Sequence, residues 1–184
     1  LRTPSRSRSL TPDVLGGPQP AQVTVAWLAS QRGKNQALRI LDVCAHPVGR
    51  SLGYLPGAVR LDWESTFASQ PTFCPSPLVL ASVMSQLGIG DEHWVVVCDE
   101  GHGGRALPVY RWLRRYGHQR VLTLTGGRSE WVRQQLGLVS EPAQYPASSF
   151  TVKIGNDCSH EDSPSQRDSH QASKRNESRR RSAA

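Results

Sequence analysis

Hydrophobic positions fall into short runs and helical stripes that alternate along the middle of the chain. Leu38-Arg-Ile-Leu-Asp-Val43 is a compact apolar run and predicts a strand. Ala58-Val-Arg-Leu61 predicts a second, after the Pro56-Gly57 turn signal. Leu80, Val83, Met84 and Leu87 follow at i, i+3, i+4 and i+7, a helix face closed by Gly88. His93-Trp-Val-Val-Val-Cys98 is continuous and β-branched, as a strand buried on both faces should be. Val109, Trp112, Leu113 and Tyr116 repeat the helix spacing and stop at Gly117. Arg120-Val-Leu-Thr-Leu124 predicts another strand, followed by Gly126-Gly127 and a short helix from Glu130 to Leu136 ending at Gly137. Strands alternating with helices predict an α/β domain around a mainly parallel sheet.

The ends differ from this pattern. Residues 1–20 hold four prolines and two glycines with little apolar content, and predict a disordered leader. From Asp157 onward almost no large apolar residue appears, so that tail cannot offset its own ordering entropy and is expected to be disordered. The folded domain is therefore placed at 21–150, with residues 151–184 as the start of a connector and a polar, basic tail.

The 184 residues carry a net charge of +7. That charge is spread over leader, domain and tail, and Arg179-Arg180-Arg181 has no interleaved aromatics, so a nucleic-acid partner is not expected. No stretch reaches the roughly 18–20 apolar residues of a membrane span. Cys44, Cys74, Cys98 and Cys158 lack CxxC spacing and a His at a ligand offset. Neither a metal site nor a disulfide framework is expected, and no cofactor motif is present. Unpaired thiols point to a reducing compartment, the cytoplasm first. The Arg- and Ser-rich, acid-poor opening makes a mitochondrial address the alternative, while the missing apolar h-region argues against secretion. A start at Leu1 suggests a fragment or a processed chain.

In parallel sheets, ligands gather at the carboxyl ends of the strands. The loop there reads Asp99-Glu100-Gly101-His102-Gly103-Gly104-Arg105, directly after Cys98. Its glycines turn N–H groups inward beside the positive end of the next helix, a cradle for an anion or thiolate. If the strand ends at Val97, Cys98 faces that cradle; if it runs through Cys98, Asp99 heads it. Spacing favours Asp99, which has the five intervening residues before Arg105 of a phosphatase-type loop, whereas Cys98 has six. Asp99 and Glu100 would also raise the Cys98 pKa and repel an anionic donor. Cys98 then reads as a small buried hydrophobe. His102 is a candidate base without a defined partner. Asp42 is expected to cap the turn after its strand, and Cys44 to lie near the same rim.

Four blocks, LRILDV at 38–43, RSLGYLPGAVRLDW at 50–63, VVVCDEGHGGRALPVYRWLRRYGH at 95–118 and VLTLTGGRSEW at 121–131, together resemble the rhodanese homology domain. With Val23-Thr-Val-Ala-Trp-Leu28, the likeness is to the N-terminal half of two-domain thiosulfate or 3-mercaptopyruvate sulfurtransferases. The resemblance implies a three-layer rhodanese-like fold with about five strands. It also implies chemistry in which a loop cysteine carries sulfane sulfur as a persulfide to cyanide, a thiol or a protein acceptor. In the tandem enzymes that cysteine belongs to the C-terminal half. Here Asp99 takes the cysteine's position, Tyr54-Leu55 replaces the usual His before the PGA turn, and Arg128 replaces the usual aromatic after the glycine pair. The implied function is a non-catalytic half, inactive alone, whose partner is a second rhodanese domain. The alternative is a single-domain sulfurtransferase using Cys98, with thiosulfate or 3-mercaptopyruvate as donor. Phosphatase or arsenate-reductase chemistry fails on the spacing and local charge.

Overall fold

The computed structural model describes residues 21–44, 53–67, 75–101 and 104–153. The leader, residues 154–184, Cys74, Cys158, His102 and Gly103 lie outside the described residues. Five strands form one sheet: β1 (Gln22–Val23), β2 (Leu38–Cys44), β3 (Ala58–Asp62), β4 (Trp94–Cys98) and β5 (Val121–Leu124), in the order β1-β5-β4-β2-β3. Every pairing is parallel. The helices are α1 (Val25–Gln31), α2 (Trp63–Phe67), α3 (Pro77–Gln86), α4 (Ala106–Arg115) and α5 (Gly127–Arg133).

Strand alternation sorts the side chains into two cores. Leu41, Val43, Val59, Leu61, Val95 and Val97 face Leu80 and Met84 of α3 and Val109, Trp112 and Leu113 of α4. Leu38, Ile40, Ala58, Val96, Cys98 and Leu122 face Leu28 of α1 and Trp131 of α5. Helices thus cover both faces, as a parallel sheet requires, and the continuous apolar run of β4 is sealed from Val95 through Cys98.

The differences from the sequence reading have local causes. β1 and α1 were not expected from periodicity; the first is two residues long, and the second starts where the Thr24 hydroxyl accepts the Trp27 N–H at 3.2 Å. The predicted strand at 93 begins one residue later because His93 Nδ1 accepts the Gly90 N–H, closing a turn. The last helix spans Gly127–Arg133 rather than 130–136. Its first N–H groups find acceptors outside the helix, Arg128 on the Asp99 carbonyl and Ser129 on that of Glu100, so the helix starts a turn early. It ends at Gln134, with Gln135 rather than Gly137 taking the left-handed conformation at φ 58°.

Beyond α5 the chain returns in extended form. Residues 143–153 cross the amino ends of the strands, bonding in turn to Ala58, Ser85, Asp91 and Tyr116. Among the described residues, no helix is long and apolar enough to cross a membrane.

Candidate functional site

β4 runs through Cys98, so Asp99 is the first residue of the loop. The Cys98 side chain points into the α1/α5 core with Trp131, fully buried. Burial pushes its thiol well above its ordinary pKa, and the Asp42 and Asp99 carboxylates push the same way against the pull of Arg128. A thiol so placed is the reverse of an activated one.

Among the described residues, three N–H groups at the two ends of the loop converge on one carboxylate of the chain itself. Asp99 Oδ1 accepts the Gly101 N–H at 2.8 Å, while Oδ2 accepts those of Arg105 and Ala106 at 3.1 and 3.2 Å. The carboxylate therefore caps α4, whose N-cap residue, Arg105, makes no side-chain cap of its own. It takes these three donors and the positive helix end that would otherwise favour an exogenous anion. Asp99 is 4% exposed. Glu100 and Arg105, partly exposed, pair across the rim at 3.5 Å. Gly104 is exposed with open space about it.

The β5–α5 turn braces this loop from below. Besides the Arg128 and Ser129 amide bonds, the Ser129 hydroxyl donates to the Glu100 carbonyl. The approach demands glycine at Gly127, where φ is +53° and a Cβ would lie 2.5 Å from the Asp99 carbonyl oxygen. A Cβ on Gly101 would likewise meet the Gly126 carbonyl at 2.7 Å.

Beneath the loop lies a pair that the sequence did not reveal. Asp42, in register with Cys98 on the neighbouring strand, accepts from Arg128, and both are buried. Asp42 is thus an ion-pair partner rather than a turn cap. Burial raises its pKa, with Arg128 pulling it down. The only clue in the sequence was Arg128 standing where an aromatic was expected. On the same sheet face, Arg60 reaches Asp62 at 3.0 Å and the Tyr54 hydroxyl at 3.3 Å. Cys44 is also buried there, and burial and Asp42 raise its pKa while Arg60 opposes them. A cavity of about 490 Å³ opens at the other end of β2, beside Leu38, Arg39 and Tyr145, away from Asp99.

A five-stranded parallel sheet with helices on both faces and a glycine-rich loop at a strand's carboxyl end is the architecture of a rhodanese-type α/β domain. Residues 24–134 match the family described as Rhodanese-like domain, and the chain belongs to that family. It is similar to the thiosulfate sulfurtransferase of Corynebacterium glutamicum, 26% identical over 71% of this chain and 43% of that protein. The 3-mercaptopyruvate sulfurtransferase of Escherichia coli K12 is 31% identical over 54% of this chain and 37% of its own length. Among solved structures, SseA from Escherichia coli, titled for the rhodanese fold and mechanism of 3-mercaptopyruvate sulfotransferases, aligns with a TM-score of 0.65 at 27% identity. That alignment covers 74% of this chain and 56% of SseA. The chain thus spans less than half the length of these two curated relatives.

Proposed function

We propose that this domain is the non-catalytic, N-terminal-type half of a tandem thiosulfate or 3-mercaptopyruvate sulfurtransferase, and that it transfers no sulfur by itself. The observation that carries this reading is the Asp99 carboxylate on the Gly101, Arg105 and Ala106 N–H groups. A persulfide on a loop cysteine would need those donors, and here an acid already holds them. The domain's role is then structural: to present the rim of the site loop and the body of the fold to a second rhodanese half that carries the reactive cysteine. Donor and acceptor specificity belong to the assembled pair.

The competing reading, a persulfide on Cys98, draws no support from the surroundings of that thiol, which is fully buried and electrostatically disfavoured as thiolate. Sulfur transfer from thiosulfate and from 3-mercaptopyruvate by the purified chain, beside Cys98→Ser, separates the two, with intact-mass detection of a persulfide. The expected result is a folded, thiol-reduced protein with no turnover and no added sulfur. Turnover and a one-sulfur mass gain, both abolished by Cys98→Ser, would establish a self-sufficient enzyme instead.

A further inference from the structure

The segment 143–153 is held to the amino edge of the sheet by a short series of polar contacts and few apolar anchors. The Ser148 N–H donates to the Ser85 carbonyl at 3.0 Å, and the Asp91 N–H to that of Ser149 at 3.0 Å. The Thr151 N–H donates to Asp91 Oδ1 at 2.8 Å and the Lys153 N–H to the Tyr116 carbonyl at 3.0 Å. Phe150 is its one buried hydrophobic residue, and Tyr145 and Val152 are half-buried. Segments with so few buried apolar contacts sit at the low end of local stability.

Two buried histidines lie where this strap is fastened. His93 closes the turn that receives it: Nδ1 accepts the Gly90 N–H at 2.8 Å and Nε2 faces Glu92 Oε1 at 3.2 Å. That geometry requires the neutral tautomer with its proton on Nε2. A second proton, on Nδ1, would point at the Gly90 N–H and break the bond. Gly90 itself is pressed against the strap, since a Cβ there would stand 2.4 Å from the Ser148 hydroxyl and 2.9 Å from the Ser149 carbonyl. His118 lies under Phe150, their rings 5.3 Å apart, and its buried Nε2 has no hydrogen-bond partner among the described residues.

We propose that the strap 143–153 is an acid-released latch, opened from the amino edge of the sheet when His93 and His118 take up protons. The charges facing each ring are defined. His93 has Arg39 of β2 against protonation and Glu92 for it, and burial weighs most heavily, lowering its pKa. For His118, burial is again dominant and the pKa again lowered; Asp91 and hydrogen bonds to the Arg120 and His93 backbone favour the proton, while the Arg120 charge opposes it. Asp91, which holds Thr151 and faces both His118 and Lys153, has a lowered pKa and stays ionised while the histidines titrate. Because the closed strap binds protons less readily than the open one, closure is unaffected above the usual histidine value of 6.5 and weakens as pH falls below it. This latch does not depend on the sulfurtransferase reading.

Hydrogen exchange of the full chain between pH 7.5 and 5, corrected for intrinsic rates, tests it. Peptides covering 143–153 are expected to exchange faster on acidification, by up to about tenfold per pH unit for each histidine that titrates, while β4 and β5 peptides keep their protection. His93→Asn places a non-titrating oxygen where Nδ1 accepts, and His118→Phe keeps the ring packing; the double variant should show a strap independent of pH. Wild-type strap exchange that stays flat, opening of β4 and β5 together with the strap, or pH dependence persisting in the double variant would each overturn the proposal. If the double variant fails to fold, nitrogen NMR of the wild-type histidines decides. Titration of both rings in step with the Thr151 and Lys153 amides supports the latch, and titration that leaves those amides unmoved refutes it.

Discussion

Asp42 on β2 and Arg128 in the first turn of α5, 86 residues apart, form a buried ion pair directly beneath the site loop. The pair ties the carboxyl end of the sheet to the helix whose first turn carries the Asp99–Glu100 backbone. The Asp99–Glu100 end of the loop is therefore tied to the sheet through a contact outside it.

Removing one member should cost far more than removing both. Arg128→Met leaves the Asp42 carboxyl without its guanidinium in a dry environment, a loss of about 3–5 kcal/mol. The double replacement Asp42→Leu/Arg128→Met is expected to recover most of that loss, because the buried carboxylate goes with its guanidinium. Urea unfolding of the two variants reads the difference, and a double variant no more stable than the single would contradict the argument.

Asp99 should matter for stability through the backbone donors it holds. Asp99→Ala strands the Gly101, Arg105 and Ala106 donors, a loss of about 1–3 kcal/mol, whereas Asp99→Asn keeps acceptor oxygen and should lose less. Asp99→Cys, in a chain with Cys98→Ser, places a thiol among the same donors. That thiol is expected to alkylate faster with iodoacetamide than Cys98 does in the native chain.

Cys44 and Cys98 are both buried, with raised thiol pKa values. Their alkylation in native buffer should follow unfolding of the domain rather than the chemistry of the free thiol. Mass mapping across a urea gradient should show both sites labelled along the unfolding transition, and early labelling of Cys98 would count against its buried assignment.

Gly127→Ala tests the brace between the two loops. A methyl there meets the Asp99 carbonyl oxygen at a left-handed φ, so the replacement should destabilise by more than about 1 kcal/mol. The amides of Gly101 and Arg128 should shift in NMR spectra, while residues of α3 remain in place.

Glu130 supplies a surface check. The Arg133 guanidinium and the Gln134 amide hold its carboxylate at 2.6–2.7 Å and lower its pKa from 4.5 to about 2. A carboxylate lowered in the folded state contributes stability above its unfolded value of 4.5, and that contribution disappears as pH falls toward about 2. Carboxyl NMR should give this midpoint, and Arg133→Gln should return it toward 4.5.

Periodicity along the chain determined the α/β alternation, the burial of β4 on both faces, and the spacing that puts Asp99 at the head of the loop. These are legible because strand and helix periods and a fixed loop length are local properties, written in neighbouring residues. The start of α5 was not legible, because its first N–H groups are satisfied by carbonyls of Asp99 and Glu100, far away in sequence. The Asp42–Arg128 pair, the inward Cys98 and the strap over His93 and His118 were likewise decided only by tertiary structure. Each depends on which groups distant in sequence share a space without water, and there a charge must find a partner and a thiol or imidazole loses the solvent that would ionise it.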